Sequence, residues 1–246
     1  MPKVLTRLDK DPIFEATFEY RFRSTVPAAA DVIQAVVIGA LRDRFPRISR
    51  HPLAEFAGAF TQDPTLRYQP RLILRGDNTG IFIGDRSVMV SCTKPYIGWA
   101  KFRPLIVDVV QLVRKADVVK ETERISLKYT NVLPGEDLSK QFSLVHFDAM
   151  LGKHKLNTLL THIRTEIPKD GLTNIVQLTP NSTIKSETQE LRGLVLAIDT
   201  VYNQPPDFLQ DPLPHIEKAH ATEKDIFVDV LTDDTLMTMG PSWDNG

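Results

Sequence analysis

The residues of this chain able to do covalent or metal chemistry are six histidines, one cysteine and a few neighbouring carboxylates. The histidines are His51, His146, His154, His162, His215 and His220. No two of them stand at i, i+4, the helical spacing that aims two imidazoles at one metal. His215 and His220, at i, i+5, would diverge by about 140° around a helix. A metal site would need long-range assembly, and core or solvent-facing histidines are the plainer reading. Cys92 closes an apolar stretch, where a buried thiol is the default, and Lys94 is the only local group that would activate it. Asp233 and Asp234 are adjacent, so on a helix they do not face each other. There is no G-x-S-x-G elbow and no H-E-x-x-H pair, and Gly76, Gly80 and Gly84 lack the spacing of a phosphate loop. The sequence therefore predicts no catalytic residues, no metal and no cofactor.

Charge is more informative. The chain has 30 Lys+Arg and 31 Asp+Glu, a formal net of −1, but the two signs are separated along it. Residues 1–135 hold 21 basic and 14 acidic side chains, and residues 136–246 hold 9 and 17. Such a split marks either a nucleic-acid face or halves and copies that attract one another. Arg42, Arg44 and Arg47 cluster at and beyond the end of a predicted helix. Arg71 and Arg75 fall on one strand face, and Arg124 and Lys128 on another. These seven are the candidate nucleic-acid-binding residues. Exposed aromatics that would stack bases are missing from those faces, which favours the self-complementary reading. In the acidic half Asp225, Asp229 and Asp233 recur at i, i+4, i+8, one stripe if a single helix carries them. They are the candidate protein-interaction residues, with Arg42, Arg44 and Arg47 as the matching positive group.

The elements that must carry these residues follow from periodicity. Phe14 to Phe22 alternates strictly, with Phe14, Ala16, Phe18, Tyr20 and Phe22 inward and Glu15, Thr17, Glu19 and Arg21 outward, a half-buried strand. Glu19, Arg21 and Lys128 are expected outside the core. Pro27 to Phe45 has helical spacing, and Pro46 closes it. Leu66–Arg75 reads as a strand, and Ile81–Gly84 with Ser87–Cys92 reads as a hairpin over Asp85-Arg86. Gly98–Lys115 is a second helix, flawed by Pro104, and Arg124–Asn131 is another alternating strand. Beyond the turn at Pro134-Gly135 come a hairpin, Leu156–Ile167 with Gly171–Leu178, a strand at Leu191–Tyr202, a Pro-rich loop to Pro214 and a helix at Ile216–Leu231. The fold class expected is α+β, mainly antiparallel sheets with packed helices, in two similar β-α-β-β-β-α halves at 1–135 and 136–246.

Leu8-Asp-Lys-Asp-Pro-Ile-Phe-Glu-Ala-Thr-Phe-Glu-Tyr-Arg-Phe22 resembles the opening L-x-x-P-P-I-x-E-A-x-x-E-x-R-F of a sporadically distributed bacterial family of uncharacterised proteins about 250 residues long. Tyr96, Trp99 and Phe102 match its Y-x-x-W-x-x-F, and Arg124 to Asn131 is similar to its R-I-G-L-R-Y-I-N. Asp11, Ser126, Lys128 and Thr130 depart from the pattern. The resemblance implies no activity, only the patchy occurrence typical of accessory or defence-associated genes.

The 246 residues are ordinary in composition, 42% hydrophobic and 25% charged, enough for one or two real cores. One cysteine excludes a disulfide framework. No run reaches the roughly 18 apolar residues of a membrane span, and the N-terminal residues lack a signal-like stretch. The expectation is a cytoplasmic, non-enzymatic binding protein that acts through a protein partner or as a homodimer. Nucleic-acid binding through the basic half, or a small-ligand pocket, are the alternatives, and no membrane partner is expected.

Overall fold

A computed structural model describes residues 4–52, 66–185 and 190–244, and its long strands follow the period-two segments of the sequence. The chain runs through β1 (Val4–Leu8), β2 (Ile13–Ser24), α1 (Ala29–Leu41), β3 (Arg47–Arg50), β4 (Leu72–Arg75), β5 (Thr79–Ile83), β6 (Ser87–Thr93), α2 (Trp99–Lys115) and β7 (Val119–Pro134). It continues through α3 (Leu138–Phe142), β8 (Met150–Leu151), β9 (His154–Lys155), a 3-10 turn (Leu156–Thr158), β10 (Ile163–Lys169), β11 (Leu172–Lys185), β12 (Glu190–Asn203), α4 (Pro212–Val230), α5 (Asp233–Thr238) and β13 (Pro241–Asp244). Nine strands form one antiparallel sheet in the order β10-β11-β12-β7-β2-β6-β5-β4-β3, while β1 pairs with β13 and β8 with β9. With its packed helices the protein is α+β.

Two compact units divide the chain. Unit 1 takes residues 1–14, 128–200 and 220–246, and unit 2 takes 15–127 and 201–219. The divisions fall inside β2, β7, β12 and α4, and the Pro134-Gly135 turn lies within unit 1.

In unit 2 the alternation of β2 sends Ala16, Phe18, Tyr20 and Phe22 into the core, each at most 1% exposed. Buried with them are Ile81, Ile83, Val88 and Val90 of the β5–β6 hairpin, Ile125 and Leu127 of β7, and the apolar stripe of α2 from Phe102 to Val113. Phe208 completes the aromatic cluster, its ring 5.0 Å from Tyr20 and 6.4 Å from Phe18. Helix α1 has no capping side chain at Ala28, and Asp85 from the β5–β6 turn accepts the Ala30 N–H at 3.1 Å instead. A tertiary carboxylate thus replaces the local cap and complements the helix dipole. Pro104 sits within α2, where it removes one ladder bond just beyond the first turn. The expected strand at Leu66–Arg75 is shorter than its alternation suggests. Leu66 to Tyr68 are turn, and pairing begins only at Leu72.

The unit 1 core gathers Leu133, Val176, Leu178, Leu194, Leu196 and Ile198 from the sheet against Ile226 and Phe227 of α4, Leu231 just beyond it and Leu236 of α5. Several of its buried polar groups are paired. Thr200 donates to Asn174 Oδ1 at 2.7 Å, Asn174 donates to the Ile167 carbonyl at 3.0 Å, and Asn131 donates to the Leu196 carbonyl at 3.3 Å. Gly193 is required by closeness, because a Cβ there would stand 2.1 Å from the Leu133 carbonyl oxygen. The expected hairpin of the acidic half is present, but its first strand starts at Ile163, and Pro212 opens α4 rather than belonging to the preceding loop.

Candidate functional site

The outer face of the unit 2 sheet holds an ion-pair network, and it corrects the expectation that Glu19 faces solvent. Glu19 is only 9% exposed. Its Oε2 lies 2.9 Å from Arg21 Nε and 3.3 Å from Arg124 Nη2, which also donates to Ser126 at 3.3 Å. A carboxylate on the outer side of a strand is buried here because β7 brings Arg124 alongside it. Tyr68 lies between two guanidiniums, 4.3 Å from Arg21 and 4.7 Å from Arg67. Its hydroxyl donates to Glu123 at 2.7 Å. Burial, then the bond to Glu123 and that group's charge, raise the Tyr68 pKa. On the core side of β2, burial raises the Tyr20 phenol strongly, against the smaller opposite effect of its bond to Thr122. The carboxylates of this face are ion-paired with its guanidiniums, so it reads as a structural clamp.

The seven candidate nucleic-acid residues do not form one surface. Arg124 belongs to the clamp. Arg71 is paired with Asp85 at 3.2 Å, and Lys128 is half-buried. Arg42, Arg44, Arg47 and Arg75 are exposed, and β3 sets Arg47 directly opposite Arg75. Arg47 also donates to the Gly76 carbonyl, and the Arg75 guanidinium sits 5.8 Å from the Phe82 ring. An exposed cluster of Arg42, Arg44, Arg47, Arg50 and Arg75 remains in unit 2.

The acidic stripe is interrupted. Helix α4 ends at Val230, and Thr232 caps a new helix, α5, that starts at Asp233. Asp225 and Asp229 share α4, whereas Asp233 lies in the first turn of α5, where its charge complements the helix dipole. Asp225 already pairs with Lys169 at 3.1 Å. A different acidic residue of unit 1 stands out. Glu223 on α4 is 5% exposed, and burial pushes its carboxyl up to about 8, opposed by the weaker pull of Lys224. The apolar periodicity of the helix gave no sign of it.

Unit 1 also has an open cleft of about 690 Å³ lined by Phe142, Phe147, His146, Asp148, Asn157 and Thr158 among others. His146 and Asp148 are exposed. Among the described residues no group of three or more His, Cys, Asp or Glu is placed to hold a metal, and Cys92 is buried.

The most unusual surface of unit 1 is apolar. Met150, Leu151, Leu159 and Leu160 are 54%, 69%, 44% and 59% exposed. The β8–β9 hairpin presents the first two, and the segment leading into β10 presents the others. β10 itself is an end strand of the sheet. Four large side chains left in water within eleven residues of sequence are an uncompensated cost for an isolated chain. The expected strand Leu156–Ile167 would carry Leu159 and Leu160, but β10 begins only at Ile163, and Met150 and Leu151 fit no period.

No helix among the described residues is long and apolar enough to cross a membrane. No known family model matches the chain, and no curated protein matches it. The family resemblance therefore rests on its motif residues. Glu19 and Arg21 of the first motif meet Arg124 of the third in the clamp. Trp99 of the second donates to Glu217 at 3.3 Å, and Asn131 ties β7 to β12. Those residues hold the fold together.

Proposed function

We propose that the protein is a non-enzymatic binding protein of the cytoplasm that works through contact with protein, either a partner or a second copy of itself. The observation that carries this reading is the exposed group Met150, Leu151, Leu159 and Leu160 beside an end strand of the sheet. Large apolar side chains left exposed together in one short stretch of chain mark association sites. Joint replacement of Leu151 and Leu160 by aspartate tests it. The wild type is expected to sediment as a reversible oligomer, or to retain a host protein in affinity capture, and the variant to bind about tenfold or more weakly. Equal association by both chains, or a wild type that stays monomeric and retains nothing, removes the reading. The idea that the acidic and basic regions descend from two similar halves belongs with this proposal. Its support is that residues 1–135 and 136–246 each contain antiparallel strands and helices.

A second reading has its own support in the exposed arginines at 42, 44, 47, 50 and 75. Arg71 and Arg124 are poor probes of it, since removing either strands a paired carboxylate. Arg47→Ala with Arg75→Ala is cleaner. If this cluster tracks phosphates, log affinity should fall with log salt by about 0.9 per contact on duplex DNA, and the double substitution should flatten the slope by about two contacts. No binding of DNA or RNA at low salt eliminates this reading.

A further inference from the structure

We propose that β10 is a self-pairing edge, and that two copies of the chain join by antiparallel addition of β10 to β10 across a two-fold axis at Thr165. The inference rests on the self-association reading above and names its surface.

The outward groups follow from the hairpin. Two residues, Asp170 and Gly171, connect β10 to β11, with φ of 54° and 77°. Such a tight turn makes Lys169 and Leu172 the closing hydrogen-bonded pair, and alternation assigns Ile167, Thr165 and Ile163 to bonds with β11. The N–H and C=O groups of Arg164 and Glu166 therefore point away from β11, and among the described residues no strand takes them. Pro168 holds the next outward position, where a missing N–H costs the hairpin nothing.

Under a two-fold axis at Thr165 the strand is complementary to itself. Arg164 of one copy falls opposite Glu166 of the other, in the register that exchanges both of their outward backbone bonds. Ile163 falls opposite Ile167 on the other face, where both are only partly covered by the unit 1 core. Within one chain Arg164 and Glu166 already lie 2.9 Å apart with about half of each side chain exposed. Pairing would extend them into a four-charge cluster. The opposite end of the sheet behaves differently. β3 carries Arg47 and Arg50 with no acidic residue, and an edge of one sign repels its own copy. The β10 pairing consumes its edge and closes as a dimer rather than a fibre.

Cysteine crosslinking tests the register. At the axis the two Thr165 residues form a non-hydrogen-bonded pair with Cα atoms about 4.5 Å apart, within reach of a disulfide. Under mild oxidation Thr165→Cys is expected to yield a covalent dimer and Arg164→Cys to yield none, the native Cys92 being buried. In sedimentation equilibrium, Arg164→Glu or Glu166→Arg alone should weaken the dimer about tenfold or more, and the two together should restore it to within about threefold. If the dimer is indifferent to these reversals, or the two cysteine variants crosslink alike, the β10 assignment falls and the binding reading stands. A chain that stays monomeric up to about millimolar concentration overturns both the edge and the self-association behind it.

Discussion

Replacing Glu223 by glutamine is expected to leave stability nearly unchanged near pH 4 and to raise it by on the order of 5 kcal/mol above about pH 8. The folded state holds this carboxyl protonated up to about 8 because α4 buries it, whereas in the unfolded chain it ionises near the ordinary glutamate value. Below that ordinary value both states carry the proton and the group has no effect. Between the two values the unfolded state releases a proton that the folded state keeps. Stability contributed by the neutral form is then lost at about 1.4 kcal/mol per pH unit until the folded group ionises too. Urea unfolding of the wild type and Glu223→Gln at matched pH measures the gap. A difference that does not grow with pH would mean that the carboxyl is hydrated or paired in the folded protein.

Phe18→Ala is expected to cost about 3–5 kcal/mol. Phe18 is 1% exposed on β2, opposite Val90 of β6 and near Phe208, so its loss opens a cavity among side chains fixed by three elements. Thr17→Ala, one residue away on the other face, should cost under about 1 kcal/mol. Because a one-residue slip would exchange the two faces, similar costs for both substitutions would contradict the observed register. Thermal unfolding of the two variants side by side decides it.

The contrast between those neighbours shows where the sequence is legible. β2 was readable because burial on one face imposes a period of two, and α2 because a period of 3.6 survives even Pro104. The Asp170-Gly171 turn was equally plain, since positive φ at both positions restricts the residue types. Glu19 was not readable. Its burial depends on Arg124, more than a hundred residues later, and a pattern of hydrophobicity carries no information about which charged strand will lie alongside. The same holds for α1, whose cap Asp85 arrives from a distant turn. The break in the acidic stripe did leave a local sign, Thr232 before Asp233-Asp234, the composition of a helix start. The free edge at β10 left none, because its position at the end of the sheet is a property of strand order.

The β1–β13 ribbon has a bearing on synthesis. Thr6 donates to the Ser242 carbonyl, a contact spanning 236 positions of sequence, and Val4 pairs with Asp244. On the ribosome β1 emerges well before its partner, which follows only after everything between them has been translated. Unit 1 therefore cannot mature vectorially, since its three segments are separated by most of unit 2. Closing so long a loop is entropically unfavourable until the intervening chain has condensed and shortened the path. The ribbon is therefore expected to close late in folding, and until it does β1 lacks the strand that pairs with it.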